Sequence, residues 1–526
     1  MTAEQRGIVL SLLGRYLPET ETWAYGSRVE WSARPQSDLD LVVFASPEER
    51  RQVVALREAL EESDLPFRVD LFIWDQVPQS FRERIRAKHV VLRAPSEARW
   101  PMVPVACIAE KVAMGPFGSS IKVDTFVPRG VPIINGRHLH GSRVDDSPGF
   151  NFITEEHAKK LARANVRRGD IVFTHRGTIG QVAYVPQTSE FDRYVVSQSQ
   201  FYLRCDRSTT IPEFVAMYFQ SPEGQSHLLA NSSQVGVPSI AQPVTYLRNL
   251  RIPCPPRAEQ SAIAHILGTL DDKIELNRRA NHTLEAIARA LFKSWFVDFD
   301  PVRAKMEGRD TGLPQVIADL FPDRLVDSDM GTIPAGWEAT SLGSVIEVYD
   351  RKRVPLNRRQ RAERQGPYPY YGAAGVMDHV DDYLFDGVHI LTGEDGSVVD
   401  ARGYPVVQYV WGRFWVNNHA HVLKGRDGIS DEHLYLLLQS TNISAFVTGA
   451  VQPKLNQRNL KSIPVVVPTL PVRHRFSDLV SRLFGMVRRN TDESKLLASL
   501  RDTLLPKLVS GEIRVPEAAS ALECVT

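Results

Sequence analysis

The chain has 526 residues, 43% of them apolar and 24% charged, with a formal net charge of +1. That length exceeds what one hydrophobic core serves, so three or four domains are expected, and the composition excludes wholesale disorder. No apolar run approaches the roughly 18 residues of a membrane span, MTAEQRGIVL lacks the plan of a signal peptide, and Cys107, Cys205, Cys254 and Cys524 form no CxxC pair. A cytoplasmic protein with no membrane partner is expected.

The first 95 residues carry Gly26-Ser27-Arg28, then Ser37-Asp38-Leu39-Asp40-Leu41-Val42-Val43-Phe44, then Val69-Asp70-Leu71-Phe72. Asp38 and Asp40 are one residue apart in a strand pattern, so their carboxylates share a face and can share divalent metal, with Asp70 on a neighbouring strand completing the set. Gly26 and Ser27 could hold nucleotide phosphate through backbone amides and a hydroxyl. This segment resembles the minimal nucleotidyltransferase family. The resemblance implies Asp38, Asp40 and Asp70 as catalytic metal ligands, Gly26 and Ser27 as nucleotide binders, Mg²⁺ and a nucleoside triphosphate as cofactors, and transfer of a nucleotide to a protein or RNA hydroxyl. Trp31 stands where that family usually has glycine. The competing expectation is an inactive domain that keeps its fold for docking.

Residues 101–255 carry 16 Lys/Arg against 12 Asp/Glu, while 256–333 carry 10 against 13, so any nucleic-acid surface is local. Here begins a repeat with a period near 210 residues. Leu247-Arg248-Asn249-Leu250-Arg251-Ile252-Pro253 returns as Arg458-Asn459-Leu460-Lys461-Ser462-Ile463-Pro464. Gly169-Asp170-Ile171-Val172-Phe173-Thr174, followed by Gly177 and Gly180, has a counterpart in His389-Ile390-Leu391-Thr392-Gly393 followed by Gly396. Each reads as a strand entering a glycine turn.

A Pro-rich stop follows each copy, Pro253–Pro256 and Pro464–Pro471, and then a long helical pattern. From Arg257 to Trp295 the seam Ile263, Leu267, Leu270, Ile274, Leu284, Ala288, Leu291 and Trp295 alternates steps of four and three around Asn277 and Asn281. The second seam is Phe476, Leu479, Leu483, Met486, Leu497, Leu500 and Leu504, interrupted by Asn490 and Glu493. This is coiled-coil spacing with matching polar centres, so the helices are expected to pack on each other. A helix of about 39 residues would be on the order of 58 Å long and act as a spacer. Two unrelated amphipathic helices are the alternative.

Trp295-Phe296-Val297-Asp298-Phe299-Asp300-Pro301-Val302-Arg303-Ala304-Lys305, Ile333-Pro334-Ala335-Gly336-Trp337-Glu338 and Leu504-Leu505-Pro506-Lys507-Leu508-Val509-Ser510-Gly511-Glu512-Ile513 resemble type I restriction-modification specificity subunits. That resemblance covers about 425 residues. It implies an α+β multidomain fold: a nucleotidyltransferase-like α/β domain at 1–97, mixed α/β target-recognition domains at 101–255 and 333–468, and a C-terminal tail at 516–526. Helical spacers at 256–332 (with a linker) and 469–515 would form an antiparallel coiled coil. The implied partners are double-stranded DNA, two methyltransferase subunits and restriction/translocase subunits.

Base reading needs Arg, Asn, Gln or Lys forks, and phosphates need cations. In the first domain the candidates are Arg137, His138, Lys159, Lys160, Arg176, Gln198 and Gln200; in the second they are Arg351, Lys352, Arg353, Arg358, Arg359, Arg413, Asn417 and Asn418. Gln198 and Gln200, two apart in a strand pattern, are expected on one face. No cofactor is expected for DNA recognition. The chain lacks a Walker A loop and an adenine-methylation motif. Cleavage and methylation would come from other chains. The alternative function is a nucleotidyltransferase of a toxin–antitoxin-like or defence system, recruited to DNA by the two reading domains.

Overall fold

The computed structural model describes residues 3–17, 20–29, 37–63, 65–93, 100–116, 120–233, 236–449, 452–516 and 518; Trp31, Cys524 and most of the expected tail lie outside them. The chain divides into two units, residues 1–271 with 498–526, and residues 272–497. Among the described residues no helix is long and apolar enough to cross a membrane.

The first unit begins with α1 (Ala3–Tyr16), β1 (Thr22–Tyr25), β2 (Leu39–Val43), α2 (Arg50–Glu61), β3 (Val69–Ile73), α3 (Gln79–Ala87) and β4 (His89–Arg93). The sheet order is β3-β2-β1-β4, with β2 and β3 parallel and β1 antiparallel to both its neighbours. β2 is buried at Leu39, Leu41, Val42 and Val43, and α2 covers it with Val53, Leu56 and Leu60. Only the start of β2 and the adjoining turns remain for polar chemistry.

The next part contains β5 (Met102–Pro104), β6 (Ala109–Met114), β7 (Val131–Ile134), β8 (Phe152–Ile153), β9 (Asn165–Arg167), β10 (Ile171–Thr174), β11 (Val182–Tyr184), β12 (Arg193–Val196) and β13 (Gln200–Cys205). The short β14 (Ser232–Ser233) and β15 (Ser239–Ile240) pair, and β16 (Arg251–Pro253) pairs with β5. One four-stranded sheet runs β11-β10-β13-β6 and another β8-β7-β12-β9, where β7 and β12 are parallel. The apolar helix Pro212–Gln220 closes the core with Phe214, Val215, Tyr218 and Phe219.

In the second unit β17 (Leu325–Ser328) and β18 (Gly331–Pro334) form a hairpin. It is followed by β19 (Glu338–Ser341), β20 (Ile346–Val348), β21 (Tyr368–Tyr371), β22 (Val376–Val380), β23 (His389–Gly393), β24 (Val407–Val410), β25 (Trp415–Val416), β26 (Ala420–Gly425) and β27 (Pro464–Val467). The sheets run β24-β23-β26-β20 and β22-β21-β25, with β21 and β25 parallel, and β19 pairs with β27. The larger sheet repeats that of residues 101–255 strand for strand, with β10, β13, β6 and β11 corresponding to β23, β26, β20 and β24, while the smaller sheet keeps its parallel pair and one neighbour but has three strands instead of four. The helix Asp431–Gln439 takes the place of Pro212–Gln220. The glycine-turn strands aligned from the sequence are the equivalent inner strands β10 and β23.

The long helices span Arg257–Phe296 and Leu470–Ser510, and each crosses the boundary between the units. In the second unit Asn277 meets Asn490, Glu493 and Ser494, while Asn281 meets Val487, Asn490 and Thr491. Numbers rise on one helix as they fall on the other, so the pair is antiparallel. In the first unit Arg501 binds Asp271 at 2.7 Å, and Ile263 and Leu267 share a core with Leu504 and Leu508. The polar centres match as expected, but one apolar seam is corrected. Val472, Phe476, Val480, Phe484 and Val487 are buried, steps of four and three that leave Met486 43% exposed. The second helix also starts within the Pro-rich stretch, because proline is tolerated in a first turn, and it continues through Pro506.

Candidate active site and nucleic-acid interfaces

In the N-terminal domain the strand register places Tyr25, Asp40 and Asp70 side by side across β1, β2 and β3. Asp38 is exposed just before β2. Burial pushes the Asp40 carboxyl up, and the Asp70 and Asp38 carboxylates add repulsion. The Tyr25 hydroxyl is pushed up to about 12 by burial and by the charges of Asp40 and Asp70. Gly26 turns the chain at φ +77°, and a Cβ there would collide with the Asp40 carboxylate. The backbone thus approaches the acidic row as closely as it can. Arg28 fastens the turn, donating from Nε to the Ser37 carbonyl at 2.8 Å and lying over Phe67. Arg68 lies 3.1 Å from the Asp70 carboxylate.

A carboxylate such as Asp40, whose charge is opposed by burial and by two neighbouring carboxylates, is chemically suited to a hard divalent cation. The donor types fit such an ion, but Asp38, Asp40 and Asp70 do not gather their ligand atoms within 4.8 Å of one another. The tightest set of potential ligands among the described residues lies elsewhere, at Asp350, Glu394 and His421, whose ligand atoms are within 4.8 Å of one another. There the Arg353 guanidinium already supplies positive charge, 2.7 Å from Glu394 and 3.5 Å from Asp350. Burial opposes the Asp350 charge, but hydrogen bonds from His421, Gln457 and the Val422 amide outweigh it and hold that carboxyl below its ordinary range. This cluster is a satisfied part of the fold.

The basic candidates of the first repeat separate into two groups. Lys159, Lys160, Arg137, Arg176 and Gln198 are exposed, and Arg137 donates to the Gly149 carbonyl at 2.9 Å. Two further cations of this domain, Arg167 and Arg168, are engaged by Glu110 and Asp192. His138 is a correction: its ring is fully buried and stacked on Phe150, its Nδ1 accepts from the Asn135 amide, and its Nε2 donates to the Gly149 carbonyl. The glutamine pair is another. Gln198 lies exposed in a turn, whereas Gln200 opens β13, is 1% exposed, accepts from Ser197 and donates to Thr174. The strand begins two residues later than the alternation suggested, so the two side chains do not share a face. Gln198 also lines, with Asn135, Asn151 and Phe126, a cavity of about 200 Å³.

In the second repeat Arg351, Lys352, Arg358 and Asn418 are exposed, Arg359 pairs with Glu363, and Arg413 lies over Tyr383 near Asp386. Arg353 is withdrawn into the buried cluster, and Asn417, 3% exposed, accepts from the His419 amide. The neighbouring Arg361 and Arg364 are structural as well, bound to Asp378 and Asp381. Sequence reasoning missed His419, which is bound to Asp395, and the exposed Lys454. The repeated spacing in Pro238-Ser239-Ile240-Ala241-Gln242 and Pro453-Lys454-Leu455-Asn456-Gln457 could have drawn attention to Lys454.

Two copies of one α+β head, with a pair of antiparallel helices, define a two-headed class of protein. The type I restriction modification DNA specificity domain model matches residues 122–286 and 334–494, more than half of the chain, and the chain belongs to that family. The polymerase beta nucleotidyltransferase model matches residues 20–98. The protein is a type I restriction-modification specificity subunit with an N-terminal nucleotidyltransferase-like domain.

The chain is similar to the type I restriction enzyme HindI specificity subunit of Haemophilus influenzae, 26% identical over 448 residues, covering 72% of this chain and 92% of the relative. Its N-terminal part is similar to the probable protein adenylyltransferase MntA of the same organism, 43% identical over 94 residues, covering 17% of this chain and 81% of that one. The crystal structure of the type I S subunit from M. genitalium shares the fold, with a TM-score of 0.51 at 16% identity, covering 79% of this chain and 98% of that one.

Proposed function

We propose that this chain reads a bipartite duplex site, one half with each repeat, and lends that specificity to two methyltransferase subunits and to restriction subunits. The observation that supports this most is the duplicated strand order, because two like heads in one chain suit two separated patches of DNA. The exposed cations Lys159, Lys160, Arg351, Lys352 and Arg358 would serve phosphates, and the turn residues would serve bases. The paired helices would set the gap between the half-sites. Exchanging residues 335–468 for another second domain should change one half-site only, and inserting whole heptads into both helices should change the gap. Binding should weaken steeply with salt, because phosphate contacts release counterions. If a single exchange changed both half-sites, the divided-reader account would fail.

The N-terminal domain would transfer a nucleotide to a protein or RNA hydroxyl. Asp38, Asp40 and Asp70 would hold divalent metal, Mg²⁺ by preference, and Gly26 with Ser27 would hold the phosphates of a nucleoside triphosphate. Bound metal would supply charge neutralisation for an attacking hydroxyl and for departing pyrophosphate. The chain's own contribution is the close approach of the Gly26 turn to Asp40, which would bring phosphate and carboxylate to a common cation. Incubation with labelled ATP and Mg²⁺ should give label transfer that is abolished by Asp38→Ala together with Asp40→Ala. Absence of transfer would leave docking as the role of this domain.

A further inference from the structure

The two repeats build the same small frame at the end of their main sheets, and the match extends to individual main-chain hydrogen bonds. In the first repeat the Gly177 amide donates to the Pro238 carbonyl, the Ile240 amide to the His175 carbonyl, the Ile179 amide to the Gly177 carbonyl, and the His175 amide to the Ser199 carbonyl. In the second the Gly396 amide donates to Pro453, Leu455 to Glu394, Val398 to Gly396, and Glu394 to His419. The isolated bridges agree, Arg176 with Ser239 and Asp395 with Lys454. Three segments meet in each frame: the glycine turn, the turn before the inner strand β13 or β26, and a Pro-led return segment.

Equivalent positions in this shared frame carry different side chains. Arg176 corresponds to Asp395, Ser239 to Lys454, Ser199 to His419 and Gln198 to Asn418. The residues between the frame and the core are buried: Thr174, Gln200 and Ile240 in the first repeat, Gly393, Ala420 and Leu455 in the second. Arg176, Gln198, Asn418, His419 and Lys454 are exposed. A constant backbone with exposed, variable, hydrogen-bonding tips is what a protein needs to present different groups to base edges from one scaffold.

Resting on the reading of each repeat as a DNA-recognition domain, we propose that these frames are the base-reading faces, and that His419 and Lys454 determine specificity alongside the Arg176, Gln198 and Asn418 already suspected. Arg176 reads guanine, whose O6 and N7 match a guanidinium fork. Lys454 supplies the corresponding donor from the return segment of the second frame. Asp395 is a positioning residue. It takes the Nδ1 proton of His419 and so fixes the ring, leaving Nε2 as an acceptor for the exocyclic amine of adenine or cytosine.

The test uses the full chain assembled with its methyltransferase subunits and a duplex library randomised across both half-sites, with the bound fraction sequenced. Arg176→Lys keeps the charge and should relax guanine preference at one position of one half-site by roughly 5- to 150-fold, leaving the other half-site and the salt dependence unchanged. His419→Ala and Asp395→Ala should relax one and the same position of the other half-site, and Lys454→Ala a neighbouring position. A purely structural role for Asp395 would instead weaken binding to all sequences evenly. Uniform loss of affinity in all four variants, with preferences intact, would overturn the inference while the divided-reader account stands. Failure of the unaltered complex to select any bipartite sequence would overturn that account first.

Discussion

The Asn490 side-chain amide donates to the side-chain carbonyl of Asn281 at 2.9 Å, and the Asn281 amide in turn donates to Thr491 Oγ1 at 3.0 Å. This polar layer crosses the helix pair where an apolar seam would otherwise continue. Asn281→Ala strands the Asn490 donor and should cost about 1–3 kcal/mol. Replacing both asparagines by leucine should recover that stability but loosen the choice of register and orientation. Thermal unfolding of the single and double variants checks the first effect. Measuring the selected half-site gap checks the second, and an unchanged sharp gap in the double variant would argue against a register role.

Gly26→Ala combines a left-handed backbone with a Cβ directed at the Asp40 carboxylate. The strain alone should cost about 1–3 kcal/mol. Label transfer by the N-terminal domain should disappear while duplex binding by the rest of the chain persists. Full retention of transfer would show that the close approach is not needed.

Arg204 grips Asp170 with two hydrogen bonds, 2.8 Å to Oδ1 and 2.7 Å to Oδ2, and the Asp170 side chain is 1% exposed. The Arg167 amide adds a third at 2.8 Å. Arg204→Met removes the neutralising partner and leaves a buried carboxylate, so the first repeat should lose about 3–5 kcal/mol. Chemical denaturation reads the loss. A change below about 1 kcal/mol would mean that solvent reaches Asp170 once Arg204 is gone.

His433 is buried against Phe296 and Phe476, and burial pulls its imidazole down to about 3, with the Arg473 charge adding to the shift. The unfolded chain binds this proton near pH 6.5, earlier than the folded one. Stability from the neutral ring is therefore complete above about 6.5 and declines as pH falls towards 3, by about 1.4 kcal/mol per pH unit. His433→Phe should flatten that part of the profile. Identical acid profiles for the variant and the original chain would contradict the assignment.

Much of the architecture was legible because it is written in periodicity and punctuation. The alternation of four and three steps located the first helix from Arg257, and Asn277 with Asn281 found their polar partners at Asn490 and Glu493. The acidic row was legible because Asp38 and Asp40 flank one strand position and Asp70 sits in matching register on the next strand. What escaped depends on three-dimensional neighbours. Gln200 and Asn417 look like base readers in sequence, yet each faces its own backbone or core. Arg353 looks like part of a phosphate clamp, but Asp350 lies three residues earlier and Glu394 41 residues later, and both draw it inward. The shift of the second seam to Val480 and Phe484 came from a four-residue step that equally apolar neighbours, Leu479 and Leu483, disguised.

Because the turns beside β10 and β23 are held by main-chain groups, substitutions at their exposed tips leave the bonds that shape those turns untouched. On the proposed reading of these tips as base contacts, a lineage would drift from one target sequence to another through single, folding-neutral changes. Exchange of segments between the two copies within one gene is a second route, since donor and recipient turns close with the same amide-to-carbonyl geometry. New specificities would then become accessible without passing through an unfolded ancestor.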